Sequence, residues 1–251
     1  MHRFHLPTEL WESATLDPKE SHHCLQVLRL AEGDRVTIFD GQGREAMATI
    51  SSTAGGVVTL HATATTKTPA PPCAITLGQA VPKGKNMDLI VQKAVELGAA
   101  RIAPLLSDRT VVQLDPEDSQ KKQEKWHTTA LEACKQSGQN RIPDVSHPVA
   151  PRDFFQLPSS KNALLLIASL QPDARPIKTV LQEYKETHSS LPAHVTVLVG
   201  PEGDFTPAEI ALAKSHGYQP ITLGPIILRT ETAAIYCLSV LAHELFSPSI
   251  A

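Results

Sequence analysis

The chain reads as an α/β protein in two parts. Residues 1–68 are β-rich and expected to close into a small barrel; residues 73–251 alternate strands and helices, the pattern of a mostly parallel sheet with helices on its faces. Three observations carry this reading. An Asp40-Gly41 turn separates two strand-like runs, a strong hairpin signal. From Cys73 onward apolar runs alternate with helix-period segments. Two Gly-Pro turns, Gly200-Pro201 and Gly224-Pro225, each follow an apolar strand.

Taken in order, a helix is expected near 21–30, stopped by Gly33. Arg35-Val36-Thr37-Ile38-Phe39 is a strand, and 45–51 and 57–64 alternate apolar and polar residues as half-buried strands do. The Thr/Pro/Ala stretch 65–72 reads as a linker. Residues 74–80 form an apolar strand. Met87, Ile90, Val91, Ala94 and Leu97 then share one helical face, and Gly98 ends that helix. Residues 102–106 form a short strand. Asp115-Pro116-Glu117-Asp118 opens a long helix, with proline at the first position and acids in the first turn. Residues 163–168 and 195–199 are buried parallel-type strands. Thr206-Pro207-Ala208-Glu209 is a capping box, and 232–246 is the last helix.

Composition narrows the function classes. The chain has 251 residues, 41% hydrophobic, with net charge −3. The apolar run 163–168 is far too short to span a bilayer, and Met1 to Pro7 lacks a signal-peptide core, so no membrane partner and cytoplasmic residence are the default. The four cysteines lack C-x-x-C or zinc-finger spacing and read as small buried hydrophobes. His22 and His23 are adjacent, and neighbouring helical side chains point apart, so no metal is expected. Mild acidity counts against a nucleic-acid partner. Even so, 119–141 carries five basic residues (Lys121, Lys122, Lys125, Lys135, Arg141) against Glu124 and Glu132.

Dinucleotide and P-loop motifs are absent, as are serine-elbow and zinc-protease motifs. What remains is the double Gly-Pro feature. A glycine after a buried strand lets backbone approach a ligand, and ligands of open α/β sheets sit outside the carboxyl ends of strands. Separated by one helix, the two strand ends are expected to lie side by side as lips of one pocket. Its flanks are apolar (Leu198, Val199, Leu223, Ile226, Ile227, Leu228), and its polar members are Glu202, Arg229, Thr230, Glu231 and Thr232. Such a slot suits a purine and ribose without phosphates. The bland alternative is a pair of plain turns before a salt-bridged helix start.

An ordered set of short motifs runs nearly end to end. It includes Arg3-Phe4, Val27-Leu28-Arg29, Asp40-Gly41, Lys83, Lys93-Ala94-Val95-Glu96-Leu97-Gly98, Ser107-Asp108-Arg109, Asn140-Arg141-Ile142-Pro143, Gly200-Pro201-Glu202-Gly203 and Ile227-Leu228-Arg229-Thr230-Glu231-Thr232-Ala233. On these the chain resembles the 16S rRNA uracil-N3 methyltransferase family, part of the SPOUT class of knotted methyltransferases. The resemblance implies a PUA-like β-barrel over 1–68 that grips RNA. It implies a SPOUT α/β domain with a deep trefoil knot over 73–251, and a homodimer acting on a uridine of 16S rRNA in the small ribosomal subunit. The implied cofactor is S-adenosyl-L-methionine, held by Leu170, Leu198, Val199, Gly200, Pro201, Gly203, Leu223, Gly224, Ile227, Leu228, Thr230, Thr232 and Ala233. Many relatives carry glycine where this chain has Asp204, and arginine at Gln139 and Ile226.

The reaction assigns roles. Uracil N3 carries a proton and is a poor nucleophile, so the enzyme must remove that proton or stabilise the anion that remains. Arg229 suits the second task; Glu231 or Glu202 could take the proton, or both could only orient Arg229 and its loop. Arg3, Arg29, Lys83, Lys85, Gln136, Asn140 and Arg141 are the expected RNA contacts. Two other readings compete: a knotted methyltransferase acting on another RNA, and a non-catalytic RNA-binding ribosome-assembly factor, which would not bind the cofactor.

Overall fold

A computed structural model describes residues 1–112, 114–158 and 160–246. The chain divides into two compact units, Met1–Ala70 with Leu131–Ile142, and Pro71–Ala130 with Pro143–Ala251.

The first unit is built on a four-stranded sheet in the order β1-β2-β3-β4: β1 (Arg3–His5), β2 (Arg35–Phe39), β3 (Arg44–Ser52) and β4 (Thr59–Lys67). β1 runs parallel to β2, and the β2–β3 and β3–β4 pairs are antiparallel. Thr65 and Lys67, expected in a linker, are paired strand residues opposite Ala46 and Arg44. Threonine is β-branched and at home in a strand, and the hairpin register outweighs the local composition. The expected helix begins earlier than 21: α1 (Pro18–His22) is capped by the Asp17 side chain. It continues as a π-helical turn, His23–Val27, and the chain turns at Arg29 with φ 56°. Phe4, Leu6, Val36, Ile38 and Ile50 form the core here.

Several polar groups in this unit are consumed internally. The Arg3 guanidinium donates to Glu45 at 2.6 Å and to the Asn140 side chain, and lies 5.0 Å from the centre of the Phe39 ring. Asn140 donates to Thr68 Oγ1, and Arg141 to the Thr68 carbonyl, both at 2.9 Å. Partly buried Lys135 pairs with buried Glu20 and with Glu132.

The second unit carries a seven-stranded sheet in the order β7-β6-β5-β10-β8-β11-β9, every pair parallel. Its strands are β5 (Ala74–Ala80), β6 (Arg101–Leu105), β7 (Asp144–Val145), β8 (Leu164–Ala168), β9 (Arg175–Pro176), β10 (His194–Val199) and β11 (Gln219–Thr222). The helices are α2 (Asn86–Glu96), α3 (Pro116–Ser137), whose last turns group with the first unit, α4 (Pro151–Phe154), α5 (Ile177–His188), α6 (Pro207–Ser215) and α7 (Thr230–Phe246). β5, β8 and β10 carry the buried apolar core of the sheet, Ile75, Leu77, Leu166, Ile167, Val195, Val197 and Leu198 among them. The α6 capping box forms as its sequence dictates. One expectation fails: β10 and β11 are not neighbours, because β8 lies between them. The chain leaving β10 passes over β8 before re-entering the sheet, and strand order of this kind has no local sequence signal.

All four cysteines are buried and free. Burial pushes the Cys73 thiol up to about 11 and those of Cys134 and Cys237 to about 12, so these three stay protonated and inert near neutral pH. No described helix is long and apolar enough to cross a membrane.

Candidate cofactor cleft

The carboxyl ends of β8, β10 and β11 open into one cleft of about 580 Å³, part of it facing solvent. Three strand ends build it rather than two. The lips expected from the Gly-Pro turns are Val199, Gly200, Pro201 and Glu202 on one side and Leu223, Gly224, Ile227 and Leu228 on the other. β8 contributes Ala168, Ser169 and Leu170 between them, and Thr230 and Ala233 of α7 complete the lining with Asp204 and Ile226. Ala168 and Ser169 escaped the sequence reading because β8 ends without glycine; the end of its apolar run was the available signal.

The two glycines serve different ends. A Cβ at Gly200 would press on the Phe205 nitrogen at 3.1 Å and Asp204 Oδ1 at 3.2 Å, so its absence lets the loop fold back under the cleft. Gly224 has open space around it but a φ of +112°, which side chains rarely adopt. Asp204 also has a left-handed φ of 62°, and its own carboxylate accepts the Phe205 N–H at 2.8 Å.

Not every expected residue reaches the cleft wall. Leu198 is wholly buried in the core beneath it. Gly203 is exposed outside the lining, and its carbonyl accepts from Arg109 Nη1. Thr232 is exposed on the first turn of α7. Thr230 is buried, and its hydroxyl donates to the Gly200 carbonyl at 2.8 Å while accepting from Gln79 at 3.0 Å.

The three residues expected to carry chemistry separate by partner. Glu202 accepts the Lys83 backbone N–H at 3.1 Å, and Glu231 accepts from the Asn86 side chain at 3.2 Å. Both carboxylates therefore hold the 83–86 loop. Arg229 is exposed, and its side chain has no hydrogen bond or ion pair among the described residues. The Lys83 and Lys85 side chains are likewise exposed and unpaired among the described residues. Beside the cleft, the buried Glu209 carboxylate accepts from Thr206 N at 2.8 Å, Asp108 N at 3.0 Å and Ser107 Oγ at 3.2 Å, joining the loop after β6 to the start of α6. Of the other expected RNA contacts, Arg29 and Gln136 are exposed, while Asn140 is buried and Arg3 mostly so. No described cluster of His, Cys, Asp and Glu is arranged to hold a metal ion.

Comparison with known proteins adds the family. Residues 69–242 match the model of the RNA methyltransferase domain, and residues 16–58 that of the RNA methyltransferase PUA domain. The Ribosomal RNA small subunit methyltransferase E of a Synechocystis species is 32% identical over 93% of this chain and 74% of its own length. The protein of that name from Bacillus subtilis is 31% identical over 90% of this chain and 88% of its own. A crystal structure of the Neisseria gonorrhoeae protein of that name, bound to S-adenosyl methionine, superposes with a TM-score of 0.83 at 31% identity, covering 97% of this chain and 98% of that one. A Legionella pneumophila protein solved with the bound cofactor SAM gives 0.85 at 33% identity over 97% of this chain and 98% of its own.

Proposed function

This chain belongs to the RNA methyltransferase family, and on that footing we propose that it is an S-adenosylmethionine-dependent 16S rRNA methyltransferase acting on N3 of a uridine. The observation that carries the reading is one cleft, apolar and edged by backbone, with an unpaired guanidinium on the strand-to-helix loop that forms its lip.

The cleft fits the cofactor's chemistry. Leu170, Val199, Leu223, Ile227 and Leu228 offer apolar walls for an adenine, and the Gly224 backbone, with open space where a Cβ would stand, offers its carbonyl. Bound there, S-adenosylmethionine supplies a methyl group on a positive sulfonium, ready for in-line displacement. The chain must then make uracil N3 nucleophilic. The Arg229 side chain is free to hold the negative charge that grows on a uracil carbonyl as N3 gives its proton to Glu231, Glu202 or solvent. Glu202 and Glu231, each tied to the 83–86 loop, orient that loop beside the cleft.

Lys83, Lys85, Arg29 and Gln136 are the RNA contacts in this reading, with Arg3, Asn140 and Arg141 shaping the unit that presents them. The first unit acts as the PUA-like barrel and the second as the knotted SPOUT domain. Ile226, Ile227 and Tyr236, exposed at 74%, 76% and 44%, support a homodimer that covers them. The protein works in the cytoplasm, where its rRNA substrate resides.

The test is direct. Small subunits from cells lacking this protein are incubated with it and isotopically labelled S-adenosylmethionine, and the nucleosides are resolved by mass spectrometry. N3-methyluridine at one 16S position is the expected product; label on a ribose or another base would refute the specificity.

A further inference from the structure

β5 contains a polar residue where its pattern calls for an apolar one. Gln79 is 0% exposed near the carboxyl end of a strand otherwise made for burial, and it does not line the cleft. Its side-chain nitrogen donates to the Ala80 carbonyl at 2.8 Å and to Thr230 Oγ1 at 3.0 Å. The amide orientation is fixed by these partners: the atom facing the Ala80 carbonyl must be a donor. Thr230 has one hydroxyl hydrogen, already given to the Gly200 carbonyl at 2.8 Å, so it can only accept from Gln79. The result is a buried relay from Gln79 through Thr230 to Gly200. The remaining atom, Gln79 Oε1, is buried with no hydrogen-bond partner among the described residues. An unsatisfied buried acceptor is a cost to stability, and costs of that kind persist where function requires them.

We infer that Gln79 is a positioning residue for the cofactor cleft: by fixing the rotation of the Thr230 hydroxyl it holds the Gly200 carbonyl, and with it the first lip, in the binding geometry. The inference rests on the cofactor reading above. It joins a strand-end residue outside the cleft to two residues that line it, over a sequence separation of 151 between Gln79 and Thr230.

Gln79→Met separates this from a merely structural role. Methionine matches the length, removes the unpaired oxygen and breaks the relay. The thermal midpoint of the full chain should hold or rise, while calorimetry should show S-adenosylmethionine binding weakened about tenfold, the scale of one net hydrogen bond. Wild-type affinity in Gln79→Met would overturn the inference, as would an affinity loss accompanied by a lower thermal midpoint. Should that variant fail to fold, Gln79→Leu, at the same position outside the cleft, decides by the same two readouts: binding weakened about tenfold with an unchanged thermal midpoint supports the relay, and wild-type affinity overturns it. A wild-type chain that does not bind S-adenosylmethionine defeats the cofactor reading itself, a result distinct from any difference among variants.

Discussion

The two units use charge in opposite ways. In the first, basic and amide groups are spent on the fold: Arg3 is shared between Glu45 and Asn140, Arg141 is fastened to the Thr68 carbonyl, and partly buried Lys135 pairs with Glu20. Around the cleft of the second, Arg229, Lys83 and Lys85 are exposed with no side-chain partner among the described residues. A charge neutralised within the fold adds to stability and little to ligand affinity; a charge left unpaired does the reverse. Substitutions in the two regions should therefore move different observables.

The largest effect should come from Lys135→Met. It strands the Glu20 carboxylate, whose side chain is 5% exposed, without its partner, and breaking such a pair costs about 3–5 kcal/mol. Denaturant unfolding at neutral pH measures it. The deficit should shrink in acid. Burial already raises the Glu20 carboxyl above its ordinary 4.5, against the lowering influence of Lys135. Between 4.5 and that raised value the folded state holds a proton the unfolded state has lost, so this group's contribution to stability falls as pH rises through the window. Removing the lysine raises the carboxyl further and widens the window. A deficit independent of pH would mean that the pair is not the source.

Arg229→Ala should produce the mirror image. Losing a stabiliser of developing charge costs on the order of 10²–10³ in turnover. Because Arg229 makes no contact that the fold needs, the unfolding free energy should stay within about 0.5 kcal/mol of wild type. Methyl transfer to small subunits and thermal unfolding report the two halves separately. Normal turnover would remove Arg229 from the chemistry.

The same contrast extends to RNA binding. Lys83→Ala and Lys85→Ala should each weaken binding to small subunits and lower the salt slope by about one, with no change in thermal midpoint. Arg3→Ala should lower the thermal midpoint and leave the slope as it was. An unchanged slope in both lysine variants would take the 83–86 loop off the RNA path.

How much of this was written in the sequence depends on range. The lips were legible because Gly200-Pro201 and Gly224-Pro225 each punctuate an apolar run, and the α6 capping box because its four residues are contiguous. The second use of Glu209, binding Ser107 and Asp108 about a hundred residues away, was not. Nor was the insertion of β8 between β10 and β11, since strand order is decided by which faces bury best. Two-residue strands such as β7 and β9 are shorter than any periodicity. Arg3 and Asn140 each sit in a short motif of their own, yet nothing local shows that the two bind each other.

Asp204 offers the smallest and most balanced test. Its left-handed φ of 62° costs a non-glycine residue about 1–2 kcal/mol. Against that, its carboxylate accepts the Phe205 N–H at 2.8 Å, a bond to a charged group worth about 1.5–3 kcal/mol. Asp204→Gly relieves the strain and removes the bond, so the two ranges leave a net loss of stability no larger than about 2 kcal/mol. The loop itself should respond more than the whole: hydrogen exchange at Phe205 N–H should quicken as its acceptor disappears. Unchanged protection at that amide would show that the lip is held by the packing of Phe205 and the α6 capping box, with the Asp204 carboxylate a bystander.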